Sequence, residues 1–142
     1  MSEKGERFRT ILHRVDKGIL GQLARSVLAA VPEIRVIKPP QVGLVMIRAR
    51  ETVENQPFNL GEVLVTECTV ALGEATGWGC CLGDDPDRAY HLAVLDLVLH
   101  LGVGPVERIE AALLAEEERI LQEDVSEFAS IARSQVQFDV LG

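Results

Sequence analysis

Aromatic residues make up only 4% of this 142-residue chain: one Trp, one Tyr and four Phe. So thin a supply argues against the stacked aromatic platforms that hold single-stranded nucleic acid. Basic residues are also in deficit. Fourteen Lys and Arg stand against 22 Asp and Glu, for a net charge of −8. A surface of that sign repels phosphate backbones, so nucleic acid is not expected as a partner. Cysteine is limited to three residues, with no Cys-x-x-Cys pair. An odd count without an export signal points to reduced thiols in a cytoplasm rather than a disulfide scaffold. No apolar run reaches the roughly 18 residues that span a bilayer. The opening MSEKGERFRT lacks the apolar core of a secretory signal, and no membrane partner is expected.

What is present is ordinary globular composition, 47% apolar and 25% charged. A chain of this size makes about one domain and buries roughly 68% of its unfolded surface. Phe8, Ile11, Leu12 and Val15 form a helical stripe, and Leu20, Leu23, Ala24, Val27, Leu28 and Val31 a second. Gly18 separates them and Pro32 ends the pair. The period then changes. Residues 43–50 and 63–72 read as long strands, residues 51–58 as a loop, and 76–82 as a returning strand. Pro39-Pro40 argues against a central strand there. Gly83-Asp84-Asp85-Pro86 is a helix start, with an Asp cap and proline in the first turn. That helix should run from about 86 to 101, ended by Gly102 and Gly104, and Pro105 opens a long last helix. Val136, Phe138 and Val140 alternate with polar neighbours, as in an extended tail. The expectation is one α+β domain: N-terminal helices over 6–31, a sheet over 34–83, helices over 85–134 and a tail over 135–142. The sheet should be an antiparallel β-meander of three to four strands, flanked by the N-terminal and C-terminal helices.

Three elements carry more apolar surface than a small fold needs. Residues 44–49 and 63–72 are mostly apolar on both strand faces, whereas a sheet facing water on one side alternates. The 86–101 helix is apolar on two flanks. The chain's own terminal helices could cover both sheet faces, or another protein could cover one.

The chemical constellations are weak. Cys80 and Cys81 are neighbours on a strand and point to opposite faces, so they do not share one tetrahedral ion with Cys68; no metal site is expected. Asp87–His91 and Asp96–His100 stand at i, i+4, a spacing that could orient an imidazole but more often marks a solvated helix edge. Gly77-Trp78-Gly79 with Gly83 lies within an expected strand and is not a phosphate loop. No catalytic residue and no cofactor is assigned. Pro57-Phe58-Asn59-Leu60-Gly61-Glu62 has two readings: a structural turn, or a polar site in which Glu62 joins Arg48 and Arg50 at the sheet's end, with His91 as a further polar candidate.

The ordered blocks Gly43–Arg50, Pro57–Glu62, Val65–Leu72 and Gly77–Asp85, with Ala89 through Leu99, resemble the G-subunit family of the bacterial carbon–phosphorus lyase system, PhnG. The resemblance is strongest over residues 34–101. Glu67 and Asp84 depart from it where the family commonly shows arginine, and Glu54-Asn55-Gln56 replaces a glycine-rich stretch. It implies an accessory, non-catalytic subunit without a complete active site of its own, assembling in the cytoplasm with I-, H- and J-type subunits. With an ATP-binding L subunit, that system converts alkylphosphonate and ATP to ribose 1-alkylphosphonate 5-triphosphate, the I subunit associated with nucleosidase chemistry. A homodimer within the hetero-oligomer is also expected. Candidate partner-contacting residues are Phe58, Asn59, Gly61, Glu62 and Phe138. The competing expectation is a free-standing small-molecule-binding domain or enzyme that uses the polar site.

Overall fold

The computed structural model describes residues 3–50 and 53–138. The two N-terminal stripes become α1 (Glu3–Leu12) and α2 (Lys17–Ala30). The turn between them works as a cap: the Asp16 carboxylate accepts the Gly18 N–H at 3.0 Å. Three antiparallel strands follow in the order β1 (Arg35–Arg50), β2 (Pro57–Leu72) and β3 (Ala75–Leu82). Then come α3 (Pro86–Leu101) and α4 (Val106–Phe138). The α+β meander is therefore as expected, with three strands.

Three boundaries differ from expectation, each for a physical reason. β1 begins at Arg35 and passes straight through Pro39-Pro40. It can do so because it is an edge strand, and its register slips on both sides of the prolines, between Val36 and Lys38 and between Lys38 and Gln41. β2 begins at Pro57, so Pro57 and Phe58 are strand and not loop, and Asn59 to Glu62 are strand and not a turn. At the other end, α4 stays helical through Phe138, where a tail was expected from residue 135. Residues 139–142 lie outside the described residues.

The expected helix start at Asp85 holds. Its carboxylate accepts the Arg88 N–H at 3.2 Å, Pro86 occupies the first turn, and Gly102 closes α3 at φ +70°, a conformation that favours glycine. The start is also fixed to the sheet. The buried Thr66 hydroxyl donates to Gly83 O at 2.6 Å and accepts the Asp85 N–H at 3.0 Å.

All four helices lie on one side of the sheet. α3 packs directly on it, and α1, α2 and α4 pack on the far side of α3. Gly77 and Gly79 let the α3 backbone ride close to β3: a methyl at either would meet Ala93 or Ala89 backbone atoms at clashing distance. Sandwiched this way, Ala89, Leu92, Ala93, Val94, Leu95, Leu97 and Val98 are all buried. The two apolar flanks of this helix are thus covered by the chain itself, one by the sheet and one by the other helices. α4 is held along α1 by surface ion pairs, Arg7 with Glu117 and a two-pronged Arg14–Asp124 contact at 2.7 and 2.8 Å. Among the described residues, no single helix is long and apolar enough to cross a membrane.

Candidate subunit interface

β3 pairs with β2 only from Val65 to Leu72. Beyond Val65 the eight residues 57–64 continue with β1 alone, as a two-stranded arm. At about 3.4 Å per residue the arm extends about 27 Å past the third strand. Among the described residues its large apolar side chains are exposed, on both faces. Leu44 is 66% exposed and Leu60 64%, with Val45, Met46, Ile47, Phe58 and Leu64 also exposed. An isolated two-stranded ribbon is marginal in water.

The arm is bent by a bulge. Ile47 pairs with Gly61 and Arg48 with Asn59, so Leu60 is an extra residue in β2. Gly61 takes up the distortion at φ +149°, where a side chain would be strained. Phe58, Asn59, Gly61 and Glu62 therefore all fall on this one stretch of β2. Phe58 and Glu62 are exposed, and Glu62 pairs across to Met46. The side chains of Asn59, Arg50 and Phe138 lie outside the described ones; Phe138 closes α4, on which Leu114, Leu121 and Val125 are exposed.

The arm continues into the face of the sheet that carries no helix. Gly77, Gly79 and Cys81 point at α3, so Trp78, Cys80 and Leu82 point away from it. Trp78 is 54% exposed and Leu82 76%. Glu67, on the same face, accepts the Trp78 indole N–H at 3.4 Å. Where this face meets the end of α1, a cavity of about 520 Å³ is lined by His13, Val65, Trp78, Cys80, Cys81, Leu82 and Arg88. Arg88 is its cation, and that guanidinium is already engaged, donating to Val15 O at 3.2 Å and His13 O at 3.1 Å. The cavity therefore suits an apolar side chain from a neighbour better than an anion.

The polar candidates do not converge. Arg48 and Glu62 sit on neighbouring strands of the arm, exposed, with no ion pair between them. His91 lies in another layer, on α3 against α2, beside Gly21 and with its ring 5.9 Å from that of Tyr90. Its Nδ1 is buried without a hydrogen-bond partner, and burial holds its pKa below the ordinary histidine value. The Cys68, Cys80 and Cys81 thiols are each pushed up by burial, which leaves them poor nucleophiles. Among the described residues, no group of three or more His, Cys, Asp and Glu side chains could hold a metal ion.

One working residue escaped the sequence reading. Asp96 does not serve His100. Its carboxylate accepts the backbone N–H of Trp78 at 3.0 Å and a guanidinium N–H of Arg9 at 3.0 Å, so it takes up one N–H on the free edge of β3. The available signal was an acid on an otherwise apolar helix that the glycines of β3 bring close.

What stands out among the described residues is this exposed apolar surface, and the comparisons with known proteins bear on it. The family described as "Phosphonate metabolism protein PhnG" matches residues 4–142. The chain belongs to the PhnG family. It is 33% identical over 120 residues to the Rhizobium meliloti (strain 1021) protein named alpha-D-ribose 1-methylphosphonate 5-triphosphate synthase subunit PhnG, covering 80% of this chain and 76% of that one. It is also 32% identical over 106 residues to HtxH of Stutzerimonas stutzeri, which carries a C-P lyase subunit name. That match covers 65% of this chain and 28% of HtxH. Within this PhnG family member the departing residues Glu67 and Asp84 are both exposed, Glu67 beside Trp78 on the open face.

Proposed function

We propose that this chain is a non-catalytic subunit of a carbon–phosphorus lyase core in the cytoplasm. In that role it supports conversion of alkylphosphonate and ATP to ribose 1-alkylphosphonate 5-triphosphate, assembled with I-, H- and J-type subunits and paired with a second copy of itself. The observation that carries this reading is the arm: seven large apolar side chains held out from the body on two strands and left exposed among the described residues. Phe58, Gly61 and Glu62 on β2 of the arm, the open sheet face around Trp78 and Leu82, and the outer side of α4 are the surfaces offered to the other subunits.

Co-expression with an I-type subunit tests it. The wild-type chain should co-purify as a stable complex. Phe58→Ala combined with Leu60→Ser should weaken co-purification at least tenfold, the scale of losing buried anchor residues, while the helical circular dichroism stays unchanged. Failure of the wild-type chain to co-purify with any lyase subunit would overturn the reading.

A further inference from the structure

The two edges of the sheet differ. At the β3 edge Asp96 takes up the Trp78 N–H and is itself held by Arg9. Among the described residues the outer edge of β1 pairs with no other strand, and its side chains from 41 to 48 are all exposed. Exposed edges of this length pair with other chains unless they are guarded by charges, prolines or bulges. β1 has those guards at its two ends: Lys38, Pro39, Pro40 and the two register slips around them at the start, and Arg48, Arg50 and the slip between Ile47 and Arg48 at the finish. The stretch between, Gln41-Val42-Gly43-Leu44-Val45-Met46-Ile47, has no charge, no proline and no register slip.

We infer that this unguarded middle of β1 pairs antiparallel with the same segment of a second copy. The inference rests on the second-copy contact in the assembly proposed above and names how it is made. The strand is self-complementary. A two-fold axis perpendicular to the sheet keeps each residue on its own face, so pairing centred on Leu44 sets Leu44 against Leu44, Met46 against Val42, Val45 against Gly43 and Ile47 against Gln41. From Gln41 to Ile47 no charge meets a like charge, and Arg48 falls opposite Pro40; the pairing ends there, because in the same register Arg50 would face Lys38. Elsewhere two copies with a net charge of −8 each repel; the neutral strip is where they can approach. The product is a continuous six-stranded sheet. The α3 layers of both copies lie on one face, and the opposite face, with Trp78 and Leu82, stays free for other subunits.

The test uses the full chain. Wild type should have twice the 15.5 kDa chain mass by light scattering. Leu44→Lys and Leu44→Glu each place like charges directly across the axis and should be monomeric. Leu44 is exposed, so neither change touches the core, and circular dichroism should match wild type. An equimolar mixture of the two variants should recover the dimer, because lysine then faces glutamate. A monomeric wild type, variants that dimerise like wild type, or a mixture that stays monomeric would each overturn this pairing. Co-purification with the I-type subunit, measured alongside, reports on the subunit reading separately: a monomeric chain that still joins the complex refutes only the strand pairing.

Discussion

Gly79 sets how closely the helical layer approaches the sheet, and Gly79→Ala measures how rigid that approach is. The added methyl would meet Ala89 O, the Ala93 N at 2.5 Å and the Leu92 Cβ at 2.9 Å. Two of these three atoms are backbone, in the middle of a helix buried on both sides, so none can swing away as a flexible side chain would. Either α3 lifts off β3 or β3 bends. Overpacking of this kind costs typically ~1–3 kcal/mol, and the backbone contacts place this site at the upper end. For a domain of this size, ~3 kcal/mol lowers the melting temperature by about 10 °C. The control is Gly43→Ala, at a position with open space around it and no positive φ. There alanine should leave stability unchanged or raise it by ~0.5 kcal/mol, by restricting the unfolded chain. Thermal melts followed by circular dichroism at 222 nm check both. If Gly79→Ala melts within about 2 °C of wild type on the size scaling above, the packing argument fails.

Two further substitutions probe groups away from the arm. Asp96→Ala should cost ~1–3 kcal/mol in urea denaturation, because it leaves the Trp78 N–H and Arg9 without their acceptor; Asp96→Asn, which keeps an acceptor oxygen, should cost less, and equal losses would refute the edge-capping role. His91 gives a pH signature. Burial, opposed by Asp87 and Asp85 and reinforced by Arg25 and Lys17, lowers its folded-state pKa below 6.5, so the unfolded chain takes up its proton first as pH falls. Its stabilising contribution is complete above 6.5 and is lost as pH drops through the folded pKa. His91→Gln should flatten the fall in melting temperature between pH 7 and pH 5, and an unchanged slope would refute the assignment.

The sequence pattern showed the helices well because their signals are local. Asp85, Pro86 and Gly102 mark the ends of α3 through caps that involve only their neighbours. The strands were harder where tertiary context decides. Pro39-Pro40 reads as an interruption until the strand is known to lie at an edge, where missing N–H groups face no partner. The start of β2 is hidden because the extra residue Leu60 and the unusual backbone of Gly61 break the period-two alternation at that point. Arg48 and His91 looked combinable in one dimension, but the fold puts them in different layers. Asp96 pairs with a backbone N–H eighteen residues away, which no helical spacing rule finds.

The apolar excess divides in two. On α3 it is internal, since the sheet and the remaining helices consume both flanks. On the strands it is left over, because all four helices stack on one side and β3 is half the length of its neighbours. Complete burial of a large aliphatic side chain is worth ~1.5–3 kcal/mol. Seven such groups, each roughly half exposed on the arm, therefore hold ~5–10 kcal/mol of unspent burial, comparable with the whole folding stability of a domain this size. Such a surface on a freely dissolved monomer would invite aggregation. The arrangement makes sense when the strand edge and the outer face are both occupied, and the two occupants are separable: the edge needs a strand of matching register, while the face needs only a complementary apolar surface. Charge at Leu44 should therefore abolish strand pairing and leave docking on the Trp78 face intact, whereas Leu82→Asp should do the reverse.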